Sequence, residues 1–196
     1  MNPRIGEIVE RMKALEQELE AELNQTRENL RYRLDNEKIR FDREVLQQQR
    51  RLKVNLFRYA LFPKPQHVLT APFIYALLPL MLLLDVFASL YHAACFPLLG
   101  IPKVRRSDYL IFDRGHLAYL NLLEMVNCAY CSYGTGLLAY MTEIVARTEQ
   151  YWCPIMHARR IRAAHERYPN FFDHGDAEAF QQGLDRLRRQ YGEVAK

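Results

Sequence analysis

The sequence predicts an all-α protein: a long N-terminal coiled-coil-like helix, a membrane-embedded helical segment and a small C-terminal helical domain. Three observations carry this. Charge is segregated along the chain, with Asp85 the only formally charged residue between Lys64 and Lys103. On either side, apolar residues recur at three- and four-residue steps, the period of a helix face. No alternating apolar–polar run of useful strand length occurs, so no sheet is expected.

Residues 1–62 are nearly all helix formers, with no proline between Pro3 and Pro63 and no glycine between Gly6 and Gly100. The apolar positions Ile5, Val9, Met12, Leu15, Leu19 and Leu23 form a narrow stripe, resumed from Leu30 to Leu56. A narrow stripe among charges is a coiled-coil seam rather than the face of a globular core helix. The steps slip between Leu23 and Phe41, so a strict heptad is not kept. A single helix here would be roughly 85 Å long and could not bury its stripe alone. The expected partner is a second copy, giving a homo-oligomer through residues 1–60.

Residues 66–102 form the membrane-embedded segment, and their length exceeds the ~20 residues that cross a bilayer core. A single span from about Ala71 to Phe96 would bring Asp85 near the bilayer centre, where an unpaired carboxylate is costly. The alternative is a hairpin breaking near Pro79 or Asp85. Five basic residues lie within twenty upstream (Arg50, Arg51, Lys53, Arg58, Lys64) and four downstream (Lys103, Arg105, Arg106, Arg114). Basic residues mark the cytoplasmic side, so this near tie favours the hairpin, with both ends cytoplasmic. The partner implied is membrane lipid.

Residues 103–196 read as a helical domain. Helices are expected from about Gly115 to Cys131, Thr135 to Tyr151, Pro154 to Arg167 and Asp176 to Tyr191, with "SYGTG" as the turn between the first two. A net charge of +4 over 196 residues, with no basic tract beside a recognisable motif, excludes nucleic acid as the expected partner. Four irregularly spaced cysteines do not make a secreted disulfide framework. The charged N-terminus lacks the apolar core of a cleavable signal peptide.

The residues with most chemical potential follow Cys128-x2-Cys131-x21-Cys153-x3-His157, which has the look of a four-ligand zinc signature. Helical hairpin geometry argues against one site. A turn at "SYGTG" carries Cys131 and Cys153 to opposite ends, and Zn–S bonds of about 2.3 Å cannot bridge that gap. Two candidate clusters remain. One comprises Asp113, His116, Glu149, Cys153 and His157. The other is Cys128 and Cys131, with Asn127 and Glu143 in range and His92 and Cys95 as possible further ligands. Zinc suits mixed Cys/His donors, with iron behind it. Each cluster has a plainer reading: Cys128 and Cys131 as small core residues, and Glu149, His116 and Arg147 as a buried polar network. Thioredoxin-like chemistry is disfavoured, because a predicted helix C-terminus destabilises a thiolate. No phosphate-binding glycine loop or hydrolase motif occurs.

The stretch "KVRRSDYLIFDRGHLAYLNLLEMVNCAYCSYGTG", continued by "ARTEQYWCPIMHARR", resembles a group of uncharacterised bacterial membrane-associated proteins with the same layout. The resemblance implies a bacterial membrane protein and carries no activity. The functional expectation is a membrane-anchored, self-associating scaffold at the bacterial inner membrane. Its helical domain would be cytoplasmic and could hold a structural metal. The competing expectation is a membrane-bound metalloenzyme or thiol enzyme working through Asp113, His116, Glu149, Cys153 and His157.

Overall fold

The computed structural model of the chain describes residues 3–29, 32–35, 38–41, 43–56 and 65–191. Its elements in chain order are α1 (Pro3–Asn29), β1 (Tyr32–Asp35), β2 (Lys38–Phe41), α2 (Arg43–Arg51), α3 (Pro65–Tyr75), α4 (Leu77–Leu99), α5 (Leu122–Trp152) and α6 (Ala177–Leu187). The fold class is all-α, and the β1–β2 pair is the one sheet among the described residues. Two compact units divide the chain. One contains Met1–Glu7, Leu83–Tyr109 and Gly136–Lys196; the other contains Ile8–Leu82 and Leu110–Thr135.

The continuous helix expected over residues 1–62 is not found. Helix α1 stops at Asn29, and β1 and β2 pair antiparallel, Tyr32 opposite Phe41 and Asp35 opposite Lys38. The break falls where the apolar steps slip. Tyr32, Leu34, Ile39 and Phe41 alternate with charged residues around Asp35-Asn36, which is a short hairpin pattern with a turn-forming centre. The expected stretch from 57 to 62 lies outside the described residues.

Nor does the segment from Pro65 to Leu99 reverse. α3 and α4 make one apolar run of 35 residues, interrupted by a turn at Ala76. Pro79 explains the interruption: it has no N–H for the carbonyl of Tyr75, and its ring crowds that turn. The N–H of Ala76 still donates to the Pro72 carbonyl (2.9 Å). Asp85 lies inside unbroken α4, so the favoured hairpin gives way to a kinked run.

Gly100 ends α4. Its φ of 67° is in the left-handed region, the N–H of Ile101 donates to the Phe96 carbonyl (2.9 Å), and that of Gly100 to Pro97 (3.3 Å). This pair of bonds is a Schellman cap, and the buried Ile101 and Phe96 provide the apolar contact that accompanies it. A Cβ at Gly100 would meet nothing within 4 Å, so Gly100→Ala would introduce backbone strain alone. The expected cost is about 1–2 kcal/mol, read as a lower unfolding midpoint with unchanged helix content.

The two helices expected on either side of "SYGTG" are one. α5 begins with a reciprocal capping box: the N–H of Asn121 donates to Glu124 Oε2 (2.9 Å) and that of Glu124 to Asn121 Oδ1 (3.0 Å). It then runs 31 residues to Trp152. Gly134 is buried in it, and a Cβ there would come within 3.2 Å of Met81 Cε. That glycine serves close packing against the start of α4, and packing outweighs its poor helix propensity. Residues 115–121 are a 3₁₀ turn and irregular chain instead of a helical start.

The helix expected from Pro154 to Arg167 is also absent. The N–H of Phe172 donates to the Pro154 carbonyl and that of Met156 to Phe172, each at 2.8 Å, forming a parallel bridge between Ile155 and Phe172. Pulling Pro154 into this bridge leaves residues 157–167 to loop round it. The last helix starts as expected: Asp176 caps α6 by accepting from the Ala179 N–H (2.9 Å).

Candidate functional site

Within the unit that holds Leu83–Leu99, α4 is inside out by the standard of a water-soluble helix. Leu83, Val86, Phe87, Leu90 and Leu98 are exposed, while Ala88, His92 and Phe96, one turn apart, are buried. The helix's polar side chains all turn inward. Asp85 accepts from both terminal nitrogens of Arg106 (2.6 Å for Nη2 to Oδ2) and from Ser89 Oγ (3.3 Å). Tyr91 Oη shares a hydrogen bond with Thr148 Oγ1 (2.9 Å). A soluble amphipathic helix does the reverse.

His92 is held by both ring nitrogens. Nε2 accepts the Val104 N–H (2.9 Å), which requires the neutral ring to carry its proton on Nδ1. Nδ1–H then donates to Tyr140 Oη at 3.2 Å. The Arg106 guanidinium lies 5.8 Å from the Tyr140 ring centroid, linking this contact to the Asp85 pair. Segment 102–109 is thereby fastened along the last turns of α4, and both elements are fastened to α5.

Deeper in the same unit, Glu143 anchors a second network. Its Oε1 accepts from Arg147 Nε (2.7 Å), Arg167 Nη2 (2.8 Å) and Arg167 Nε (3.0 Å). Arg147 Nη1 also donates to the Pro102 carbonyl (2.7 Å). Arg167, only 2 % exposed, donates Nη1 to Gln150 Oε1 (3.0 Å). Gln150 Nε2 then donates to the Leu187 carbonyl at the end of α6 (2.9 Å). Tyr191 closes the group. Its ring lies 5.7 Å from the Arg167 guanidinium, and its hydroxyl donates to the Arg147 carbonyl (3.2 Å).

Electrostatics fit a fastening role. Burial pushes the Glu143 carboxyl up, but the hydrogen bonds and charges of Arg167 and Arg147 outweigh it and hold it below its ordinary 4.5. A carboxylate with a depressed folded-state pKa stabilises the fold fully above its unfolded value and loses that contribution as pH falls through the folded value. The unfolding midpoint should therefore drop below about pH 4.5, and Glu143→Gln should flatten that drop. Burial also pushes Tyr191 up to about 12, so its hydroxyl stays a donor at any physiological pH.

The sequence-derived site residues are dispersed. Asp113 and His116 sit in a 3₁₀ turn in one unit, whereas Glu149, Cys153 and His157 belong to the other. Glu149 pairs with His165 (Oε2 to Nε2, 2.9 Å), His157 stacks on Tyr168 at 6.3 Å, and Cys153 is exposed. Cys128 and Cys131 lie about six turns before Cys153 along continuous α5. The zinc spacing fails because the helix is continuous, not because a hairpin folds it. That also removes the helix C-terminus expected at Cys131. His92 has no nitrogen to spare for them, and Glu143 is committed to its arginines. Among the described residues, no three His, Cys, Asp or Glu side chains converge as a possible ligand set. The buried polar network shares Arg147 with the expected one, but its other members are Glu143, Arg167 and Gln150 in place of Glu149 and His116.

No family model, curated protein or solved structure matches the chain. Sequence reasoning missed Glu143 as an anchor and Arg167 as its partner. Local spacing had a usable signal for Glu143 and Arg147, an i, i+4 acid–base pair on one helix. None connects either to Arg167, which arrives from an irregular segment.

Proposed function

We propose that the protein is a membrane-embedded scaffold of a bacterial inner membrane that self-associates through its N-terminal helix. The single observation that carries the membrane reading is the inverted polarity of α4. The run Pro65–Leu99 is long and apolar enough to cross a bilayer, and only 6 % of its most apolar window is buried within the protein. The core helix of a soluble protein would have most of that surface covered. Lipid supplies the missing cover, and Arg106 neutralises the one carboxylate that lipid would reject. The bacterial setting rests on the resemblance of the Lys103–Gly136 stretch. Carbonate extraction tests the reading directly: the protein should stay with the membrane pellet, and release into the soluble fraction would contradict it.

Self-association is supported by α1. Ile8, Met12, Leu15 and Leu19 are all roughly half or more exposed, with spacing 4-3-4. In a parallel pair seamed on these residues, Arg11 and Glu16 flank the seam at positions that face each other with opposite charge. A second copy therefore suits the stripe better than an unrelated partner. Light scattering of the detergent-solubilised full chain should give an oligomer. Leu15→Asp with Leu19→Asp should dissociate it, since each lost leucine removes roughly 1.5–3 kcal/mol of burial. An unchanged mass would mean that the stripe docks elsewhere.

A further inference from the structure

We infer that the rim formed by Trp152 and the arginines Arg159, Arg160 and Arg162 is a binding surface for anionic phospholipid headgroups. The inference rests on the membrane reading above and adds the lipid class and the residues that recognise it. Trp152 ends α5, is 59 % exposed and packs edge-on against Tyr151 at 5.2 Å. Tyr151, in turn, lines a cleft of about 530 Å³ together with Leu99, Gly100 and Pro102, the end of the apolar helix. Trp152 therefore lies at the level where α4 stops, the depth at which tryptophans settle in a bilayer.

The arginines are carried at the same end. Their loop leaves after His157 and is tied back at His165, which bonds Glu149, one turn before Trp152. Arg159, Arg160 and Arg162 are exposed and make no hydrogen bond or ion pair among the described residues. The only acid between His157 and Arg167 is Glu166, and Ile161, set among the arginines, is itself 38 % exposed. The two arginines of the cleft are differently occupied. Arg188 Nε donates to the Tyr151 carbonyl (2.9 Å) and Arg189 Nε to the Asp185 carbonyl (3.0 Å), so they offset helix-end carbonyls. The loop arginines have no such duty. Three unpaired guanidinium groups with an exposed tryptophan and isoleucine match a surface of phosphodiester anions over acyl chains.

Trp152 is the only tryptophan of the chain, so its fluorescence reports this rim alone. The full chain would be reconstituted with either brominated phosphatidylglycerol or brominated phosphatidylcholine at equal mole fraction. Quenching should be stronger with the anionic lipid, reflecting local enrichment of about fivefold per arginine. The difference should vanish in R159A/R160A/R162A and at high salt, and persist in R159K/R160K/R162K, which keeps the charge. Equal quenching by both lipids, or a difference that survives the alanine variant, would overturn the inference. So would a saturable change in emission with glycerol phosphate in solution, which would mark a soluble phosphate ligand. If neither lipid quenches while the protein resists carbonate, the rim assignment alone fails; if carbonate releases the protein, the membrane reading fails with it.

Discussion

Replacing Glu143 by alanine should unfold the C-terminal unit under conditions where the parent chain is folded. One carboxylate oxygen receives three N–H donors from Arg147 and Arg167, and both arginines are buried. Removing it leaves two guanidinium groups facing each other in a low-dielectric interior. Breaking a buried pair by deleting one partner costs about 3–5 kcal/mol, a large part of the about 5–15 kcal/mol by which a domain is stable. Deleting Arg167 instead should cost less than deleting Glu143, because Arg147 still neutralises the carboxylate. A double-mutant cycle on Glu143 and Arg167, read by chemical unfolding, should show non-additivity. Additive losses would mean that the two side chains do not form one network.

The second large effect is expected at Arg106. Its removal takes from Asp85, inside α4, the guanidinium that pairs with it, and the size of the loss depends on what surrounds the helix. In a bilayer, a charged side chain near a helix centre costs about 2.5–3.5 kcal/mol, and Arg106 offsets part of that for Asp85. In water, a pair whose arginine is 42 % exposed would be worth about 1 kcal/mol or less. Arg106→Ala in reconstituted protein should give the larger value, and Arg106→Ala with Asp85→Asn should recover most of it. A loss below about 1 kcal/mol would place α4 in a hydrated setting.

How much of this was legible follows from which interactions are local. The apolar run around Asp85, the Asp176 cap and the exposed stripe of α1 are written in neighbouring residues and could be read directly. Asn121-x-x-Glu124 was equally legible as a helix start, yet glycines at "SYGTG" drew attention as a turn. Gly134 could not be read correctly, because the reason for its presence is Met81, 53 positions earlier in the chain. The hairpin at Tyr32–Phe41 was visible only as a slip in a helical stripe. The cysteine and histidine spacing suggested chemistry because ligand types were counted along the chain. A 31-residue helix then spread them over many turns. Arg167 was out of reach, since nothing near Tyr168-Pro169 indicates that this arginine turns inward to Glu143.

The account stands on the claim that lipid covers the outward faces of α4, and one measurement tests it most directly. All four cysteines are free, so they can be replaced and single nitroxide labels introduced at Phe87 and Leu90, both exposed and apolar, in the membrane-reconstituted full chain. Collision of the labels with oxygen, which concentrates in acyl chains, is compared with collision with a water-soluble nickel chelate. The account predicts high oxygen and low nickel accessibility at both positions, with a label on exposed Arg160 showing the opposite. High nickel accessibility at Phe87 and Leu90 would contradict it.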